Sequence, residues 1–130
     1  MQLDHISILV KDLDQGIKKF SKIFGAPSHR EDIPGHEVEV VIFQLDNSKV
    51  ELICPYANNV KLQKRLRDHG EGLHHMAIRE KTRTLSLEGL NFVESNTAGA
   101  EGNLVKFLHP KEYCGTLVEL VRDMETECKQ

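Results

Sequence analysis

The sequence predicts an α+β fold built from two copies of a small unit, and three observations predict it. Two short apolar stretches open on a histidine, His5-Ile6-Ser7-Ile8 and His75-Met76-Ala77-Ile78, 70 residues apart. Two others carry a lone glutamate, Val50-Glu51-Leu52-Ile53 and Val118-Glu119-Leu120-Val121, 68 residues apart. The first half reads as a strand, a helix and then strands joined by hairpin-type turns, and the second half restarts on the same pattern.

The elements follow in order. Residues 3–10 are β-rich. Asp12 then introduces a helix with apolar positions Ile17, Phe20, Ile23 and Phe24; the aspartate suits an N-cap, and Gly25 with Pro27 supplies the stop. Residues 37–45 form a strand that alternates at first and then turns apolar. After a turn at Asp46-Asn47-Ser48, residues 49–54 complete the unit, closed by Pro55. Residues 58–69 set Val60, Leu62 and Leu66 among lysines and arginines, a connecting amphipathic helix ending at Gly70. The second copy comprises a strand over 73–79, a short helix candidate over 81–87 and strands over 90–93, 103–108 and 116–121. Residues 96–103, rich in small and polar types, read as a surface loop, and the polar tail 123–130 as frayed. The expected organisation is one domain over 1–130, with module 1 at about 1–56, the connecting helix at about 58–70 and module 2 at about 72–122.

Composition narrows the function classes. With 130 residues, 39% hydrophobic and 28% charged, the chain has the size and balance of one folded domain rather than a disordered segment. A net charge of −3 offers no footprint for nucleic acid or an anionic membrane. No apolar run approaches a membrane span, and the N-terminus has no basic-then-apolar leader. Cys54, Cys114 and Cys128 lack CxxC spacing and are odd in number, which fits a reducing cytoplasm rather than a disulfide framework.

Side chains alternate between the faces of a strand. His5 therefore shares a face with Leu3, Ser7 and Leu9, and His75 with Leu73, Ala77 and Arg79. In both copies a small residue lies two positions after the histidine, which suggests a cavity and favours His75 over His74. Glu51 and Glu119 sit mid-strand among Val, Leu and Ile, where an unpaired carboxylate would forfeit solvation worth several kcal/mol. A divalent cation removes that difficulty, because it favours the ionised carboxylate. His5, Glu51, His75 and Glu119 are thus the candidate ligands of one metal ion. Imidazole with carboxylate suits Zn²⁺, Mn²⁺, Co²⁺, Ni²⁺ or Fe²⁺ better than Mg²⁺, and an octahedral sphere would keep two positions for water or substrate oxygens. The remaining histidines, His29, His36, His69, His74 and His109, have no partner of the same kind in the other copy.

These residues lie in stretches that resemble the vicinal oxygen chelate superfamily of glyoxalases, extradiol dioxygenases and antibiotic-resistance proteins, and within it the methylmalonyl-CoA epimerases. The matching segments are Asp4-His5-Ile6-Ser7-Ile8-Leu9-Val10-Lys11-Asp12-Leu13, Lys49-Val50-Glu51-Leu52, Gly70-Glu71-Gly72-Leu73-His74-His75-Met76-Ala77, Phe107-Leu108-His109-Pro110-Lys111 and Gly115-Thr116-Leu117-Val118-Glu119-Leu120. The first is common across the superfamily; the Gly-Leu-His-His and Phe-Leu-His-Pro-Lys motifs are more specific to the epimerases.

The resemblance implies two βαβββ modules forming a cupped mixed sheet around a metal cleft, with His5, Glu51, His75 and Glu119 as ligands. It implies epimerisation of methylmalonyl-CoA or a related acyl-CoA, by α-proton removal through a metal-stabilised enediolate. Glu119 would be one of two acid–base residues, and Glu39 is the favoured counterpart, with a solvated edge-strand glutamate as the alternative reading. A homodimer is the family expectation. One departure stands out: only residues 80–89 separate Arg79 from the 90–93 strand, and Thr82, Thr84 and Ser86 are mediocre helix formers, so the second-module helix should be shortened or lost. The same ligands would also serve a glyoxalase-type lyase or isomerase, an extradiol-type dioxygenase or, without chemistry, a small-molecule (antibiotic) binder.

Overall fold

The computed structural model describes residues 1–80 and 97–122. The helix expected over 81–87, the strand over 90–93 and the tail over 123–130 lie outside the described residues, and with them the shortening of the second helix. The chain forms two compact units, Ile6–His74 and Met1–His5 with His75–Gln130. Strand β1 (Gln2–Leu9) contributes its first half to one unit and its second half to the other.

In the Ile6–His74 unit, helix α1 (Leu13–Phe24) follows β1 as expected. The Asp12 side chain accepts the Gln15 N–H at 3.0 Å, and Gly25, at φ 81°, ends the helix in a conformation that favours glycine. Strands β2 (His29–Ile33), β3 (Val38–Gln44) and β4 (Lys49–Pro55) are antiparallel neighbours, and the order is β2-β3-β4-β1. Register sorts their side chains. Val41 lies opposite Leu52 and Phe43 opposite Val50, and with Val10 and Leu13 these form the core under α1. Ile6, Ile8, Ile17, Phe20 and Phe24 pack against it, whereas Ile23, which the periodicity had placed inward, is exposed. Ile42 and its partner Glu51 take the other face of the β3–β4 ladder.

Strand β2 escapes the sequence reading because His-Arg-Glu-Asp-Ile has no apolar alternation. It is an edge strand, and its side chains are exposed or half-buried. Helix α2 (Val60–His69) starts one residue after Asn59, whose side-chain oxygen accepts the Leu62 N–H at 3.1 Å while its amide donates to the carbonyls of His36 and Glu37.

In the other unit the strand order is β1-β5-β8-β7-β6, with β5 (Gly72–Arg79), β6 (Thr97–Ala98), β7 (Leu104–Leu108) and β8 (Val118–Arg122). β8 runs parallel to β5 and antiparallel to β7. Ala77, Glu119 and Phe107 fall in one cross-strand row, and Ala77, Val105, Phe107 and Val121 form the local core. Over its described residues, 97–103, the 96–103 segment is less open than its composition implies. Thr97 and Ala98 pair with β7, and at Gly99 a Cβ would come within 2.8 Å of Val105 Cγ1, so the glycine permits close approach. Among the described residues, no helix is long and apolar enough to cross a membrane.

Candidate metal centre

His5, His75 and Glu119 are delivered by three neighbouring strands. Glu119 on β8 lies opposite Ala77 on β5, and His75 is two residues before Ala77, hence on the same face. His5 comes from β1, next to β5 in the order. The Nε2 atoms of His5 and His75 are 3.3 Å apart; His75 Nε2 is 3.2 Å from Glu119 Oε2, and His5 Nε2 is 3.7 Å from Glu119 Oε1. All three residues are buried, at 6–8% exposure. Phe107 closes one side, its ring edge-on to His75 at 5.4 Å between centroids.

Two imidazole nitrogens and a carboxylate thus converge in a place from which water is largely excluded. Bonds of about 2.1 Å at angles between octahedral and tetrahedral separate the donors of one first-row metal ion by roughly 3.0–3.4 Å. The spacings of His75 Nε2 to His5 Nε2 and to Glu119 Oε2 match that range, and the 3.7 Å spacing from His5 Nε2 is to the other carboxylate oxygen, Oε1. The donor set, two nitrogens and a carboxylate, suits the borderline divalent ions. His5, His75 and Glu119 therefore form a possible metal-binding triad, with ligand atoms all within 4.8 Å of one another.

Two further side chains brace it. The Asp4 carboxylate accepts from His5 Nδ1 at 2.7 Å, and its other oxygen accepts from Arg79 Nε at 2.8 Å. Neither was singled out from the sequence. Asp4 stood in the first motif, but strand parity assigned its side chain to the face opposite His5.

The fourth expected ligand, Glu51, belongs to the Ile6–His74 unit. It is 6% exposed and accepts the Ser7 hydroxyl at 3.0 Å. The small residue after the histidine motif is therefore a hydrogen-bond donor to the glutamate as well as a space-maker.

Glu39 is placed differently from expectation. It lies opposite Cys54, on the face of β3 shared with Val41 and Phe43, not on the face of Ile42 and Glu51. Arg30 on β2 donates to it through Nε at 2.7 Å and to Asp14 on α1 at 3.2 Å. Nor is β3 an edge strand, because β2 covers it. Among the other histidines, His29 pairs with Glu31 and His109 accepts the Lys111 N–H, capping the turn after β7.

The sequence profile of the Glyoxalase/Bleomycin resistance protein/Dioxygenase superfamily matches residues 4–107. The chain belongs to that superfamily. Among the superfamily's curated members, it is 34% identical over 134 residues to the mitochondrial methylmalonyl-CoA epimerase of Homo sapiens, covering 92% of this chain and 72% of that one. It is 32% identical over 129 residues to the ethylmalonyl-CoA/methylmalonyl-CoA epimerase of Cereibacter sphaeroides, covering 92% and 96%. In solved structures, a variant of the Streptomyces coelicolor methylmalonyl-CoA epimerase in complex with 2-nitronate-propionyl-CoA matches with a TM-score of 0.85 and 26% identity, over 95% of this chain and 98% of that one. The α+β fold is that of these superfamily neighbours, as the resemblance implied. The relationships support an epimerase, an enzyme of the isomerase class.

Proposed function

We propose that this protein epimerises methylmalonyl-CoA or a closely related acyl-CoA, at the carbon between the thioester and the carboxylate, with a divalent metal ion bound. The observation that carries the reading is the buried convergence of His5, His75 and Glu119 on adjacent strands. The names of the related epimerases supply the substrate class. Glu51 is proposed as the fourth ligand, on the strength of the repeat and of its buried carboxylate. The ion would be Co²⁺, Mn²⁺, Zn²⁺, Ni²⁺ or Fe²⁺, supplying positive charge against the charge that enediolate formation puts on substrate oxygens.

The chain's own part is to orient and to move a proton. Glu119 is the proposed acid–base residue on one face of the α-carbon, taking or returning the proton there; inversion requires a second proton donor and acceptor on the opposite face. The two imidazoles and Phe107 hold the carboxylate in a setting with little water, which strengthens each electrostatic contact. Glu39, ion-paired on the opposite face from Glu51, has no part in this scheme. Homodimerisation, on the family likeness, and a cytoplasmic location, on the cysteine pattern, complete the reading.

The decisive experiment is proton exchange. Metal-loaded protein incubated with methylmalonyl-CoA in deuterated water is expected to introduce deuterium at the α-carbon, followed by loss of the ¹H signal. No exchange at full metal load would sink the epimerase reading and leave another chelating substrate for the site.

A further inference from the structure

Beyond its ligands, the centre carries a charged relay whose geometry points to a second task. We infer that Asp4 and Arg79 are positioning residues that fix the tautomer and ring orientation of His5, so that its Nε2 lone pair is aimed at the cation. The inference rests on the metal reading above. Three observations within one compact unit carry it. The Asp4 carboxylate is buried at 6% exposure, its Oδ2 is 2.7 Å from His5 Nδ1, and its Oδ1 is 2.8 Å from Arg79 Nε.

The consequences follow from donor and acceptor chemistry. An ionised carboxylate only accepts, so the proton of a neutral His5 ring must sit on Nδ1. The lone pair is then on Nε2, the atom that faces His75 Nε2 and Glu119 Oε1. Arg79 is cationic at any ordinary pH, and its planar fork reaches Asp4 from β5, the strand that also carries His75. It offsets the charge of a buried carboxylate and holds Oδ1, while Oδ2 faces His5 Nδ1. Without Arg79, Asp4 would keep its charge but lose one of its anchors. Without Asp4, His5 would be free to take the other tautomer and to turn about χ2. Hydrogen-bond partners of this kind typically change metal affinity by about 10–100-fold.

The test measures Co²⁺ binding by competition, with the visible spectrum of the bound ion and the thermal unfolding of the metal-free protein recorded alongside. Asp4→Ala is expected to weaken Co²⁺ binding by about 10–100-fold and to alter the spectrum. Arg79→Met should weaken it less, with Arg79→Lys restoring part of the loss. Asp4→Asn, which keeps an acceptor oxygen without the charge, should fall between Asp4→Ala and the unmutated protein. Variants that bind Co²⁺ within about 2-fold of the unmutated protein, with an unchanged spectrum, would overturn the inference, even if they unfold at lower temperature.

Should the alanine variant fail to fold, ¹⁵N-resolved histidine NMR of the unmutated, Zn²⁺-loaded protein reads the tautomer directly, with His5→Asn identifying the signal. A proton on His5 Nδ1 supports the inference, and a proton on Nε2 contradicts it. Absence of any Co²⁺ binding by the unmutated protein is a different result: it removes the metal reading and this inference together.

Discussion

Buried carboxylates need compensation, and part of that for Glu51 comes from the Ser7 hydroxyl, which donates to it at 3.0 Å. Its strand neighbours are Val50, Leu52 and Ile53, an apolar setting for a carboxylate. If the glutamate is a metal ligand, removing it should cost more than the roughly 10–100-fold typical of groups that only support ligands. Glu51→Ala is therefore expected to weaken Co²⁺ binding by over about 100-fold, read by competition with a chelator. Unchanged affinity would leave a three-donor centre made of His5, His75 and Glu119 alone. The triad itself was legible in the sequence because strand parity and burial constrain the same residues: alternation chose His75 over His74, and an apolar setting marked Glu119. Asp4 and Arg79 were not legible. Adjacent strand residues nominally point to opposite faces, so parity separated Asp4 from the histidine it bonds, and Arg79 lies 75 residues from its partner. The ion pair of Glu39 was not legible for a related reason, since its partner Arg30 sits on a strand that carries no apolar signal.

At the scale of elements, α1 was readable because several local signals agree. Asp12 caps its start, Gly25 ends it, and Leu13, Ile17, Phe20 and Phe24 mark the inner side. Gly16 breaks that agreement: glycine inside a helix costs about 1 kcal/mol relative to alanine. Packing accounts for it. A Cβ at Gly16 would lie 3.1 Å from Leu52 Cδ1 and 3.5 Å from Val10 Cγ1, and Leu52 is fully buried. Gly16→Val, which adds a branched side chain at this contact, should destabilise by about 1–3 kcal/mol, while Asp12→Ala should cost about 1 kcal/mol through the lost cap. Urea unfolding midpoints at constant slope check both. A valine variant as stable as the original would show that α1 can shift away from β4 without penalty. Short elements such as the two-residue β6 have no comparable local signal, because their existence depends on β7 being there to pair with.

For the whole molecule, the duplicated His and Glu pattern made the fold class legible, whereas the energetic role of the metal is a matter of linkage. The three clustered donors stand at positions 5, 75 and 119, so a cation that engages all three binds the folded chain and not an extended one. Binding of that kind stabilises by mass action, about 2.7 kcal/mol when free metal is 100 times its dissociation constant. For a chain of this size, that free energy corresponds to a rise in Tm on the order of 10 °C. The shift is an upper value, because seven histidines and three cysteines give the unfolded chain some affinity for the same ions. Tm should therefore climb with Co²⁺ concentration, return to the metal-free value with EDTA, and respond far less in a His75→Asn variant. A Tm that stays flat across the titration, in protein that is folded at the outset, would mean that the buried His–His–Glu cluster holds no metal.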